Sequence, residues 1–398
     1  MSLFDKLRPI ADRLSAVAAG PVPFDTVIDA VISPTEVLIA GRRTLMCGSN
    51  NYFGLSFRPD VIAATQAAVA TEGAGTTGSR AANGTYAAHR RLEDRFARAF
   101  GKTHALVFTT GYQTNLGMIA GLCGADDTVI IDVESHASIY DGATLSGAQT
   151  FAFRHNSPAD LARKLARLET PSKCLVVTEG LYSISGDVGA IAEISAVCRE
   201  AGAFLMVDEA HSFGAYGTHG LGCADAQGVL ASVDFITGTF SKALAGVGGF
   251  CVSDHAALRL LHFTARPYVF TASGSPGTIA GVETALGILL EDSVLRGQLW
   301  ANVRQMRAGL AGLGFRISPT ESPIVSIEVG DAERAVATWA SLLDAGVYTN
   351  IVLPPACRVD ACLLRTSYSA AHTPAQIDQA LDAFARVGRE FALIGAAA

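Results

Sequence analysis

The sequence has no C-x-x-C pair. Its eight cysteines, Cys47, Cys123, Cys174, Cys198, Cys223, Cys251, Cys357 and Cys362, stand far apart or inside apolar runs. That spacing argues against a zinc site and fits buried free thiols in a reducing compartment. Charge is also sparse. Charged residues make up 17% of the chain, and 30 basic against 37 acidic residues leave a formal net charge of -7. No basic footprint for nucleic acid or a polybasic membrane anchor remains. No apolar run approaches the length a membrane span needs. Met1 to Arg8 is charged and amphipathic, without the apolar core of a secretory signal, so a cytoplasmic protein is expected. Proline is scarce, 14 residues against 40 glycines, which fits many tight strand-to-helix turns and excludes a fibrous or disordered chain. What is plentiful is apolar sequence: 398 residues at 49% hydrophobic content support a large core and two domains.

The chain is organised around Gly238-Thr239-Phe240-Ser241-Lys242 and the glycine-rich run Ala245-Gly246-Val247-Gly248-Gly249. The apolar run from Val233 to Thr237 reads as a strand, which offers Lys242 to a cleft just past a strand end. Hydroxyls on Thr239 and Ser241 suit a phosphate, and a lysine amine suits an aldehyde. Together they point to pyridoxal 5′-phosphate (PLP). A second apolar strand, Ala203 to Val207, ends in Asp208-Glu209-Ala210-His211. A carboxylate there can pair with a protonated pyridine nitrogen and make the ring an electron sink, the role expected of Asp208. His211 is placed to orient that aspartate or to contact the ring hydroxyl, though a capping role explains it nearly as well.

Strands and helices alternate through the first two thirds of the chain, which predicts an α/β fold with a mostly parallel, helix-covered sheet. An amphipathic helix is expected over residues 4 to 19 and a hairpin over residues 37 to 47. The segment from Gly73 to Thr85 is too rich in glycine and hydroxyls to bury an apolar face, so it is a loop. The strand His104 to Phe108 runs through a glycine turn into a helix, whose free N–H groups at Gly111 and Tyr112 form a phosphate cradle. His136 follows another strand end. It reads either as a helix cap or as a ring stacked on a cofactor. After residue 275 the pattern becomes α+β. The expected division is an N-terminal arm over 1–45, a large PLP-binding domain over 46–275 and a small domain over 276–398. Arg365, inside the apolar strand Cys362 to Thr366, needs a carboxylate partner from the protein or from a substrate.

These words together resemble the α-oxoamine synthase family of fold-type I, aspartate aminotransferase-like PLP enzymes. The resemblance rests on Asn51-Tyr52-Phe53-Gly54, Gly78-Ser79-Arg80 with Asn83-Gly84-Thr85, Ser135-His136-Ala137-Ser138, Asp208-Glu209-Ala210-His211 and Thr239-Phe240-Ser241-Lys242-Ala243. It implies a homodimer with the site at the subunit interface. It also implies that Lys242 forms the Schiff base, Asp208 pairs with the ring nitrogen, His211 lies beside the ring oxygen and His136 stacks on the ring. Gly111, Tyr112, Thr239 and Ser241 hold phosphate, joined by Thr271 and Ala272 from the partner subunit. Asn51, Ser79 and Arg365 face the amino-acid substrate. The weaker words from Ser135 to Gly142, Phe153 to Ser157, Arg266 to Ser273 and Ala371 to Ile377 resemble the branch that joins L-serine to a long-chain acyl thioester, normally palmitoyl-CoA, giving 3-ketodihydrosphingosine, the first step of sphingolipid biosynthesis. Sister activities use glycine or alanine with shorter acyl-CoA, and a noncatalytic partner subunit is the reading from another class. Ser185, Leu353 and Cys357 to Asp360 depart from the family pattern. They leave open the acyl length and the choice between CoA and acyl carrier protein; peripheral contact with a membrane surface is open as well.

Overall fold

The sheet that carries the site is built from seven strands: β4 (His104–Phe108), β5 (Thr128–Asp132), β6 (Gln149–Phe153), β7 (Cys174–Glu179), β8 (Phe204–Asp208), β9 (Phe235–Thr239) and β10 (Gly249–Ser253). A computed structural model describes residues 2–8, 11 and 23–395. The strand order is β4-β10-β9-β8-β7-β5-β6. All pairings are parallel except those of β10, which runs antiparallel to both β4 and β9. Every residue of β7, β9 and β10 is buried. Strands covered on both faces read as unbroken apolar runs, and this is why the sequence pattern located them.

The chain divides into two compact units. The second comprises Phe53–Ser183 and Asp187–Gly297 and holds the seven-stranded sheet. Its helices include α1 (Pro59–Glu72), α2 (Ala87–Ala99), α3 (Gly111–Leu122), α4 (Ala137–Ser146), α5 (Pro158–Leu165), α6 (Ile191–Ala201) and α7 (Pro276–Glu291). A stack of phenylalanines supports the β9–β10 turn. The Phe96 and Phe250 rings lie 4.2 Å apart, and Phe240 stacks on Phe96 at 5.6 Å. Phe240 is fully buried two residues before Lys242, so the turn is pinned from below while the lysine stays partly accessible. The expected boundary near residue 275 falls inside this unit, because α7 packs along α1 so closely that a Cβ on Gly281 would meet Thr65 Oγ1 at 2.5 Å.

The first unit comprises Met1–Tyr52, Ile184–Gly186 and Gln298–Ala398. Strands β1 (Ala30–Ser33), β2 (Glu36–Ile39) and β3 (Arg42–Met46) form an antiparallel meander. The two-residue strand β12 (Val347–Tyr348) joins β3 in parallel. A separate antiparallel sheet has the order β11 (Ile324–Gly330), β14 (Cys362–Ser367), β13 (Asn350–Val352). Three helices accompany them: α8 (Ser293–Leu313, entering this unit at Gln298), α9 (Ala332–Asp344) and α10 (Pro374–Glu390). Thr373 and Gln376 close a capping box at the start of α10. The helix expected over residues 4 to 19 lies mostly outside the described residues; a single 3-10 turn, Asp5–Leu7, is seen. Arg266–Val269 forms one helical turn where an irregular break was expected, begun by Pro267 in the first turn.

Candidate active site

The parallel strands β7, β8 and β9 end on one side of the central sheet. Register pairs Glu179 at the end of β7 with Asp208 at the end of β8, and Asp208 with Thr237 of β9. Beyond those ends lies a cavity of about 240 Å³. Gly111, Tyr112, His136, Asp208, His211, Thr239, Ser241 and Lys242, all expected from the sequence, line it. Asn115, Ser138 and Glu179 line it as well. Two of these three carry a local signal: Asn115 is one helical turn past Gly111, and Glu179 is the terminal carboxylate of an apolar strand.

Each side chain is held by its own element. Asp208 is buried, with Oδ1 accepting the Ala210 N–H at 2.9 Å and Oδ2 accepting Asn115 Nδ2 at 2.7 Å. His136 both caps α4 and lines the cavity, so the two readings of this residue are compatible. Its Nδ1 accepts the Ser138 N–H at 3.2 Å, and its own N–H is accepted by Glu179 Oε1. Packing around the imidazole pushes it below its ordinary pKa. Asp208 opposes that effect and the Lys242 amine adds to it. Burial, reinforced by Asp208, raises the Glu179 carboxyl well above the usual carboxylate range.

Helix α3 begins at the cavity wall, where Thr110 caps it by accepting the Gln113 N–H at 3.0 Å. A Cβ on Gly111 would stand 2.7 Å from Thr239 Cβ and Oγ1, so only glycine lets the helix start approach the β9 end. The Thr239 and Ser241 hydroxyls are 2.7 Å apart, and Thr239 donates to Gly248 O at 3.0 Å. Tyr112 hydrogen-bonds to Asp141, which raises its phenol pKa. These groups fit a phosphorylated pyridine aldehyde: clustered hydroxyls at a helix N-terminus for phosphate, a buried carboxylate for a ring N–H, and an amine for the aldehyde.

The remaining expected residues lie elsewhere. Thr271 and Ala272 sit beside α3 in the same chain. Gln113 Nε2 donates to Thr271 Oγ1 at 3.1 Å, and Thr109 Oγ1 donates to Ala272 O at 2.8 Å. Neither lines the cavity of their own chain. Ser79 forms an isolated bridge with Ala272. Asn51 and Arg365 belong to the first unit, where Arg365 donates to Asn50 Oδ1 at 3.0 Å and hydrogen-bonds the Tyr52 phenol. Among the described residues no cluster of His, Cys, Asp or Glu is suited to a metal ion, and no helix is long and apolar enough to cross a membrane.

A lysine presented beside a strand-end aspartate on this sheet defines a fold-type I PLP-dependent transferase. Residues 44–384 match the family described as Aminotransferase class I and II. The chain is 49% identical to a serine palmitoyltransferase of Caulobacter vibrioides over 396 residues, 99% of this chain and 98% of the relative. It is 44% identical to that of Sphingomonas paucimobilis over 398 residues, covering 99% of this chain and 94% of the relative. The solved structure of a Sphingomonas wittichii serine palmitoyltransferase superposes with a TM-score of 0.96 at 44% identity, covering 99% of this chain and all of that one. The chain belongs to the serine palmitoyltransferase family within this aminotransferase class.

Proposed function

We propose that the chain condenses L-serine with a long-chain acyl thioester, palmitoyl-CoA in the first instance, to 3-ketodihydrosphingosine. The thioester C–S bond breaks and the serine Cα bonds to the acyl carbonyl carbon. The CoA thiol and CO2 leave, and a proton is taken up. Bound in the cavity, PLP supplies an aldehyde for amines and a ring that withdraws charge from the substrate Cα.

The chain's own groups do the rest. Gly111, Tyr112, Thr239 and Ser241 would hold the phosphate, with α3 directing its positive end at it. Asp208, fixed by Asn115, would keep a proton on the ring nitrogen, and His211 would sit at the ring oxygen. Lys242 would hold the aldehyde, and its amine is placed to take the Cα proton. His136 would lie over the ring, where its imidazole holds the serine carboxylate. We assign Asn51, Ser79 and Arg365 to substrate contact, and Thr271 and Ala272 to the phosphate of a second subunit in a cytoplasmic homodimer. These assignments follow the family likeness.

The observation that carries this reading is the presence of Lys242, Asp208, His136 and His211 around one cavity, in a chain 49% identical to a serine palmitoyltransferase over 99% of its length. Titration of the holoenzyme with amino acids tests it. Serine should shift the visible spectrum, whereas a shift with glycine or alanine alone would move the chain to a sister activity.

A further inference from the structure

Asp208 and His136 are joined through the side chains of Asn115 and Ser138. Asn115 Nδ2 donates to Asp208 Oδ2 at 2.7 Å and to Ser138 Oγ at 2.9 Å. Its Oδ1 accepts the Thr237 hydroxyl at 3.0 Å. Turning the amide over would set its carbonyl against the Asp208 carboxylate, so the network fixes this orientation. Both amide protons are then used. Ser138 Oγ acts as acceptor toward Asn115, and its own proton is directed along its other contact, 2.8 Å to His136 Nδ1. The Ser138 backbone N–H points at the same nitrogen from 3.2 Å. A ring nitrogen facing two donors presents its lone pair, and the proton of the neutral ring therefore resides on Nε2.

We propose that Asn115 and Ser138 are positioning residues that hold His136 as the Nε2–H tautomer, so that the imidazole presents a hydrogen-bond donor to the amino-acid carboxylate. The tautomer is a property of the chain alone, whereas its use on a carboxylate rests on the serine reading above. Both residues are buried, Ser138 at 1% and Asn115 at 3% exposure, so water does not compete for these bonds. The ring is kept neutral by the packing around it and by the Lys242 amine, against the opposing charges of Asp208 and Asp141. The Tyr112 and His136 rings are T-shaped with centroids 6.1 Å apart, and Glu179 holds the His136 backbone. A donor at Nε2 binds an anion, whereas the other tautomer would turn a lone pair toward it and repel it.

The test uses the full chain labelled with 15N-histidine, with His136→Gln to assign the signal. Without PLP, the wild type should show His136 as a single Nε2–H species at neutral pH, and Ser138→Ala should show a second, Nδ1–H population. A wild-type ring that is charged or protonated at Nδ1, or a Ser138→Ala spectrum identical to wild type, overturns the proposal. In the holoenzyme, Ser138→Ala should lower kcat/KM for the amino acid by about tenfold, chiefly through a raised KM, equivalent to about 1.4 kcal/mol, and Ser138→Thr should recover most of it. Asn115→Leu combined with Ser138→Ala should cost little more than Asn115→Leu alone, because Asn115, which also holds Asp208, reaches His136 only through Ser138; full additivity counts against the relay. If wild type turns over no amino acid and acyl thioester pair, the serine reading fails, and the spectrum still decides the tautomer.

Discussion

The Oε1 of Glu179 accepts the backbone N–H of His136, tying the last residue of β7 to the N-cap of α4. The two strands that feed this contact, β7 and β5, are hydrogen-bonded neighbours in the sheet, so the contact is a direct product of strand register. Burial, then the charge of Asp208, raises the pKa of the Glu179 carboxyl well above the usual carboxylate range, against the opposing pull of the His136 N–H and the Lys242 amine.

Because a protonated carboxyl and a side-chain amide present the same carbonyl acceptor, Glu179→Gln should retain near wild-type kcat. Glu179→Leu leaves the His136 N–H without its partner and should lose about tenfold or more. The ionised form appears only as pH rises through the raised pKa, where it places a second negative charge beside Asp208. Wild-type activity should therefore fall earlier on the alkaline side than that of Glu179→Gln. Steady-state kinetics across pH check both statements.

Gly111→Ala should weaken PLP retention by about tenfold or more without unfolding the chain. The added methyl would sit 2.7 Å from Thr239 and must push the α3 start away from the β9 end. Absorbance remaining after dialysis measures retention, and the melting temperature of the cofactor-free protein controls for stability.

Glu209 gives a stability prediction separate from catalysis. It is fully buried, accepting the N–H groups of Cys223 and Ala224 at 2.8 Å each and a hydroxyl proton from Ser212. Burial dominates those bonds and moves its pKa up from 4.5 to about 7. Between those values the folded chain binds more protons than the unfolded one. The stabilising contribution is therefore whole below about pH 4.5 and is lost as pH rises through about 7. Glu209→Gln cannot titrate, so its melting temperature should fall less than wild type over that range, a difference of about 3 kcal/mol at most. Parallel melting curves at several pH values check this.

How much of this was legible in the sequence depends on burial. Strands β7 to β10 are covered on both faces and announced themselves as apolar runs, so the strand ends bearing Asp208 and the turn bearing Lys242 could be placed. The two-residue β12 and three-residue β13 are too short to leave a pattern, and they form only because β3 and β14 offer them edges. Helix α7 looks like the start of a new domain because its apolar content changes the pattern. Contact with Thr65 and its neighbours on α1 assigns it to the second unit, and no local signal carries that. The role of Ser138 comes from Asn115 and His136, which stand on either side of it in the fold, and spacing along the chain does not encode that.

Lys242 is the proposed covalent anchor for PLP. Lys242→Ala should keep the fold and lose at least about a thousandfold in kcat. Borohydride reduction of the yellow wild-type protein should fix the cofactor on the peptide containing Lys242 and on no other lysine, as peptide mapping would show.

The most direct measurement is mass spectrometry of the products formed from serine and a ladder of acyl-CoA thioesters. The account predicts a long-chain 3-keto amino alcohol, lacking the serine carboxyl carbon, with CO2 released in equal amount. Product from glycine or alanine alone, or a serine product that retains its carboxyl group, would contradict it.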